Sequence, residues 1–127
     1  MKILVVEDQA IELKLAVLVL SAAGHDVTRA EAADQALASI RADEPDLILM
    51  DLWMPGIDGL MLVRRLKADR ATRDIHIVAV TSYPEKFSRA EAIQAGCDAY
   101  LGKPLNTRDL PEVLAAVVEN AEKRSDP

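Results

Sequence analysis

Five short runs of β-forming residues alternate with longer stretches of helical period, and this alternation restricts the chain to very few folds. The runs are "ILVV" (3–6), "DVTRA" (26–30), "LILM" (47–50), "IHIVAV" (75–80) and "AYL" (99–101). Between them, Leu37 and Ile40 mark one helical face, and Leu60, Val63 and Leu66 mark another. Leu110, Val113, Leu114, Val117 and Val118 follow the i, i+3, i+4, i+7, i+8 spacing of an amphipathic helix. Strands joined through helices run parallel, and the helices then cover both faces of the sheet. The expected fold is therefore α/β, a doubly wound (βα)5 parallel sheet with continuously apolar central strands such as "LILM". Gly24 and Gly96 stand where a helix favours a left-handed residue past its end. Asp58 stands where an N-cap would open the helix of Leu60. Pro111 requires either that Asp109 is the N-cap, with Glu112 completing a capping box, or that the first turn is irregular.

A length of 127 residues suits one domain with a proper core, and with aromatic residues at only 3% that core must be aliphatic. The net charge of −6 argues against nucleic-acid binding, which needs clustered Lys and Arg. Cys97 is the only cysteine, which excludes an intrachain disulfide or a multi-cysteine metal site; it reads as a small buried residue before a strand. "MKILVVEDQ" has too short an apolar run for a signal peptide, and "LAVLVLSAAG" (15–24) falls short of the roughly 20 residues that span a bilayer. A soluble, cytoplasmic protein with no membrane partner is expected.

In an open α/β sheet, ligands bind outside the carboxyl ends of the strands, where the strand order reverses. The polar residues at those ends are Glu7 and Asp8, then Asp51 within "DLILMDLWMPGIDG" (46–59), then Thr81 and Ser82, then Lys103. If the order is 2-1-3-4-5, Glu7, Asp8 and Asp51 converge on one crevice, with Thr81 and Lys103 on its other side. Two like charges ~4 Å apart repel by about 4 kcal/mol at an effective dielectric of about 20, so three carboxylates need protons or a cation among them. An all-oxygen site open to solvent suits Mg²⁺. Acids, a metal, a lysine and a threonine hydroxyl are together the parts that stabilise a transferring phosphoryl group. Each residue alone has an ordinary explanation, as a helix cap or a solvated strand end. The joint pattern at four strand ends does not.

Together "ILVVED" (3–8), "DLILMDLWMPGIDG" (46–59), "VAVTS" (78–82) and "AGCDAYLGKP" (95–104) resemble the receiver domain of two-component response regulators, from Lys2 to about Lys123. The resemblance implies the flavodoxin-like order 2-1-3-4-5, a receiver domain over residues 1–122, a short tail over 123–127 and no output domain. It implies that Asp51 accepts a phosphoryl group from a histidine kinase or histidine phosphotransfer protein. The strand would fix this nucleophile, and the loop "LWMPGIDG" would leave it open to the donor. Mg²⁺ would be held by Glu7, Asp8, Asp51 and the backbone carbonyl of Trp53, with Glu7 standing where the family often has Asp and acting through water. Thr81 is similar to the family's switch hydroxyl, and Lys103 to the lysine that pairs with the phosphoryl group. Tyr100 matches the aromatic that turns inward and reshapes the face of the fourth helix, fifth strand and fifth helix; read alone, it is a strand tyrosine with its hydroxyl at the surface. Trp53 and Tyr83 lie where receivers tune phosphoaspartate hydrolysis, and both are bulky here. Lys103–Pro104 is expected to be a cis peptide. In the first helix Ile11, Leu15 and Leu18 are expected to line the core. Some of Leu13, Val17 and Leu20 would then be exposed beside the acidic site, where phosphodonors dock in this family.

The function this implies is a stand-alone phospho-accepting signalling switch, which catalyses its own phosphorylation and dephosphorylation and binds an effector protein on the altered face. An alternative is a phosphate shuttle or sink without an effector. An aspartate-nucleophile hydrolase would need a second Asp two residues after the nucleophile, and Trp53 stands there. A transcription factor lacks support too, since nothing after Lys123 forms a helix-turn-helix.

Overall fold

In the computed structural model, which describes residues 1–125, the chain runs β1 (Lys2–Val6), α1 (Ala10–Ala22), β2 (Asp26–Ala30), α2 (Ala33–Ala42), β3 (Leu47–Asp51), β4 (Trp53–Met54), β5 (Ile57–Asp58), α3 (Gly59–Ala68), β6 (His76–Thr81), α4 (Arg89–Ala95), β7 (Ala99–Gly102) and α5 (Leu110–Ser125). Five strands form one sheet in the order β2-β1-β3-β6-β7, every neighbouring pair parallel. Counted along that sheet alone, the order is 2-1-3-4-5. The chain leaves β1 toward one edge and returns through β3 toward the other, so the crevice of this topology opens at the carboxyl ends of β1 and β3.

Both faces of the sheet are covered, and alternate residues of each central strand serve opposite layers. Leu4, Val6, Ile48, Met50, Ile77 and Ala79 pack with Ala36 and Ile40 of α2, Leu60, Val63 and Leu66 of α3 and Ala92 of α4. Ile3, Val5, Leu47, Leu49, Val78 and Val80 pack with Leu13, Ala16 and Leu20 of α1 and Leu110 and Leu114 of α5. That two-sided demand is why "LILM" contains no polar residue. Cys97 is buried, as its place before β7 led one to expect.

Helix α1 is rotated relative to the sequence expectation. Leu13, Ala16 and Leu20 are buried, whereas Ile11, Leu15 and Leu18 are 76%, 46% and 56% exposed. Its sequence "AIELKLAVLVLSA" is apolar on nearly every side, so periodicity cannot select the inward face. Packing selects it: small Ala16 lets the helix approach the sheet, and Val17 reaches the same layer as α5.

Other local signals act as read. The Asp58 carboxylate caps α3, accepting from the N–H groups of Leu60 and Met61 at 3.0 and 3.3 Å. Gly24 and Gly96 take φ of +95° and +117° past the ends of α1 and α4. At α5 the Asp109 carbonyl accepts from Val113 N–H at 3.0 Å, so Asp109 is the N-cap. The turn before it is closed by Asn106, whose side chain donates to the Asp109 carboxylate and accepts from Arg108 N–H. Pro111 thus falls in the first turn, where its missing N–H costs nothing. Helix α5 continues to Ser125, through most of the expected tail; residues 126 and 127 of that tail lie outside the described residues.

The loop after Asp51 has structure of its own. β4 and β5 pair antiparallel, Trp53 opposite Asp58 and Met54 opposite Ile57, around Pro55 and Gly56. Gly59 then opens α3 directly against the chain, and a Cβ there would lie 2.6 Å from Leu52 Cα and 2.8 Å from its carbonyl oxygen. This seat holds the loop against the end of β3.

Candidate functional site

The carboxyl ends of the strands bring Glu7, Asp8 and Asp51 together. Each offers an oxygen within 4.8 Å of the others, an all-carboxylate set able to hold a metal ion. Oxygen donors, open coordination and two acids from adjacent strands fit a hard divalent cation such as Mg²⁺. Asp51 is buried at the end of β3, and both its oxygens are held. Oδ1 accepts from the Trp53 N–H at 3.0 Å, and Oδ2 accepts from Lys103 Nζ at 2.9 Å. Glu7 is buried as well; its Oε2 accepts from the N–H groups of Asp8 and Gln9 at 2.9 and 3.4 Å.

Lys103 has three N–H donors and directs each at a carboxylate. Besides Asp51 they reach Glu7 Oε1 and, at 2.6 Å, Oε2 of Glu12 on α1. Burial pushes the Glu7 carboxyl up to about 9, assisted by its neighbours Glu12 and Asp51 and opposed by Lys103. Glu12 is held below the ordinary carboxylate range by its bonds to Glu7 and Lys103. Burial works against the Lys103 ammonium, but the bonds from Glu12, Glu7 and Asp51 outweigh it and leave its pKa above the ordinary value. The Lys103 ammonium, bonded to three carboxylates at once, offsets the crowding of acids in the metal-free protein.

Thr81 is buried at the end of β6; its hydroxyl oxygen accepts from the Tyr83 N–H at 2.9 Å, and its carbonyl accepts from the Lys103 N–H at 2.9 Å. The Lys103–Pro104 bond is cis. Tyr100 is not a surface tyrosine: its ring is buried, its hydroxyl donates to the Phe87 carbonyl at 2.5 Å, and the Arg89 guanidinium lies 5.3 Å from the ring centre. Trp53 and Tyr83 stand at the mouth of a cleft of about 230 Å³ that Asp8, Asp51 and Lys103 also line. They meet edge to face with ring centres 5.9 Å apart, Trp53 also touches Phe87 at 6.1 Å, and Lys86 Nζ sits 4.1 Å from the Trp53 ring centre.

The family model for the response regulator receiver domain matches residues 3–115. The chain belongs to this family. It is 39% identical over 116 residues to the phosphate regulon transcriptional regulatory protein PhoB of Pseudomonas aeruginosa, a match covering 91% of this chain but only 51% of that relative. It is 33% identical over 119 residues to the polar-differentiation response regulator DivK of Brucella ovis, covering 94% of this chain and 97% of that one. Among solved structures, a CheY-like receiver domain protein from Methanospirillum hungatei superposes with a TM-score of 0.86 at 30% identity, covering 98% of both chains. The chemotaxis response regulator CheY4 of Vibrio cholerae gives 0.82 at 28% identity, covering 91% of this chain and 97% of that one. Among the described residues of this receiver, no helix is long and apolar enough to cross a membrane.

The receiver site contains residues that sequence reasoning missed. Glu12 is one, because an isolated acid in an apolar helix carries no signal until the rotation of that helix is known. Phe87, the only phenylalanine, is another: it is buried, its ring meets Trp53 and its carbonyl accepts from the Tyr100 hydroxyl. Lys86 beside it had no distinguishing spacing at all.

Proposed function

We propose that this receiver is a phospho-accepting signalling switch of a two-component or phosphorelay system. Asp51 takes a phosphoryl group from a histidine kinase or histidine phosphotransfer protein, and the change reaches the face of α4, β7 and α5, where an effector protein binds. The observation that carries this reading is Asp51 itself, fixed at the end of a buried strand, 2.9 Å from the Lys103 ammonium and beside Glu7 and Asp8. Glu7, Asp8, Asp51 and the Trp53 carbonyl would hold Mg²⁺, which when bound supplies positive charge for the phosphoryl oxygens. A carboxylate oxygen of Asp51 attacks phosphorus, and the donor's nitrogen leaves from the opposite side. Lys103, already bonded to that carboxylate, moves its donor onto a phosphoryl oxygen. Thr81 keeps its hydroxyl hydrogen available to do the same, since its oxygen is at present an acceptor. Support for the class comes from relatives that are named response regulators.

A phosphate shuttle or sink is a second reading, favoured by one observation: Tyr100 is already buried, with little inward travel left.

Trp53, the only tryptophan and a neighbour of the site, reports on it directly. Mg²⁺ is expected to change its emission saturably and EDTA to reverse the change. Beryllofluoride, which mimics the phosphoryl group, should add a further change only with Mg²⁺ present and Asp51 intact. An equal response without Mg²⁺, or in Asp51→Asn, would refute the site. A pull-down comparing wild type with Asp51→Asn under phosphorylating conditions separates the two readings: a partner retained only by the phosphorylated form marks a switch, and rapid turnover with no such partner marks a sink.

A further inference from the structure

We infer that Trp53 is a positioning residue that holds Tyr100 inward through Phe87, so that the α4–β7–α5 face is biased toward its phosphorylated shape before Asp51 is modified. This rests on the functional reading above and adds a physical route between the cleft and that face. The route starts at Asp51, whose Oδ1 accepts from the Trp53 backbone N–H. The Trp53 ring lies against Phe87 with centres 6.1 Å apart, and Tyr83 meets it edge to face on another side. Phe87 is only 7% exposed, and its carbonyl accepts from the Tyr100 hydroxyl. The loop that carries these groups is also tied to itself, since the Tyr83 carbonyl accepts from the N–H groups of both Lys86 and Phe87.

Two cations close the arrangement from outside. Lys86 sits over the Trp53 face, 4.1 Å from its centre, and Arg89 lies 5.3 Å from the centre of Tyr100. Cation–ring contacts and edge-to-face aromatic pairs each stabilise the arrangement they close. Together they suffice to move a two-state equilibrium by a factor of about ten, for which about 1.4 kcal/mol is needed. If the Tyr100 ring swung outward, its hydroxyl would leave the Phe87 carbonyl. If Trp53 were removed, the packing that seats that carbonyl would go with it. Thr81 does not make either contact, so the brace acts beside any movement of Thr81 and need not pass through it.

The chain has only two tyrosines, so 3-fluorotyrosine gives two ¹⁹F resonances, assigned with Tyr83→Phe. In the unmodified wild type the Tyr100 resonance should already lie at the buried position, and Mg²⁺ with beryllofluoride should barely move it. In Trp53→Leu it should shift toward the position of a solvent-exposed ring, and Mg²⁺ with beryllofluoride should draw it back. Trp53→Phe, which keeps a ring against Phe87, should restore most of the wild-type position. Lys86→Ala, an exposed change that spares the core, should shift it the same way by less. A Tyr100 resonance that stays at the wild-type position in both Trp53→Leu and Lys86→Ala would overturn the inference. So would a resonance at the exposed position in the unmodified wild type. Phosphate incorporation at Asp51, measured separately, distinguishes this failure from that of the functional reading: the brace can fail while wild-type Asp51 is still labelled.

Discussion

Lys103 directs all of its donors at acids, and one of the two buried among them, Glu7, has its carboxyl pushed up to about 9 by burial and by Glu12 and Asp51. A raised folded-state pKa contributes stability that is complete below the ordinary 4.5 and is lost as pH rises toward 9, so in metal-free protein Glu7 weakens the fold across that window. Glu12, held low, acts oppositely, and its contribution is lost as pH falls. Mg²⁺ needs Glu7 as a carboxylate, so its binding near neutral pH should release a proton, and its affinity should climb as pH is raised from about 7 toward 9. Calorimetric titration in two buffers of different ionisation enthalpy measures that proton; a buffer-independent heat would show that Glu7 is already ionised. Trp53 and Tyr83 carry a second expectation, since their rings flank the cleft by which water must approach a phosphorylated Asp51. Replacing both with small polar residues should speed phosphate loss several-fold, and an unchanged or slower rate would show that their bulk is not the barrier.

The elements differ in how far their sequences reveal them. β3 and β6 are sandwiched between two apolar layers, and such strands read as unbroken apolar runs because no side of them meets water. α3 was legible from Asp58 and the spacing of Leu60, Val63 and Leu66, since one face is wet and the other dry. α1 was not, because a helix apolar all round gives the same periodic signal for several rotations. Its orientation follows from neighbours distant in sequence, and so Glu12 escaped notice while the exposed Ile11, Leu15 and Leu18 read as the core line. Gly59 likewise has a reason that no spacing reveals, its close packing against Leu52. Gly59→Ala improves helix propensity by about 1 kcal/mol, yet the added carbon meets backbone, which cannot yield as a side chain would. A net loss of roughly 1–3 kcal/mol is expected from urea unfolding, with the damage centred on the loop after Asp51. Unchanged stability would mean that the loop shifts freely away from α3.

For the molecule as a whole, a parallel sheet covered on both faces was legible because strand-then-helix alternation admits few arrangements of so short a chain, whereas the strand order, and with it the crevice, was implied by the resemblance to receiver domains. Polar residues at four strand ends then pointed to a shared site, and Glu7, Asp8, Asp51 and Lys103 do meet there. What stayed hidden lies between elements: the third acid on Lys103, the packing of Trp53 on Phe87, and the hydrogen bond from the Tyr100 hydroxyl to the Phe87 carbonyl. Such contacts depend on side-chain direction in three dimensions, to which no spacing along the chain corresponds. The central claim is that this arrangement makes Asp51 a phosphoryl acceptor. The most direct test treats the purified chain with acetyl phosphate and Mg²⁺, then determines intact mass and maps the modified peptide. One phosphoryl group per chain is expected, on the peptide containing Asp51, absent without Mg²⁺ and absent in a folded Asp51→Asn variant. Undiminished incorporation in that variant, or none in the wild type, would contradict the account.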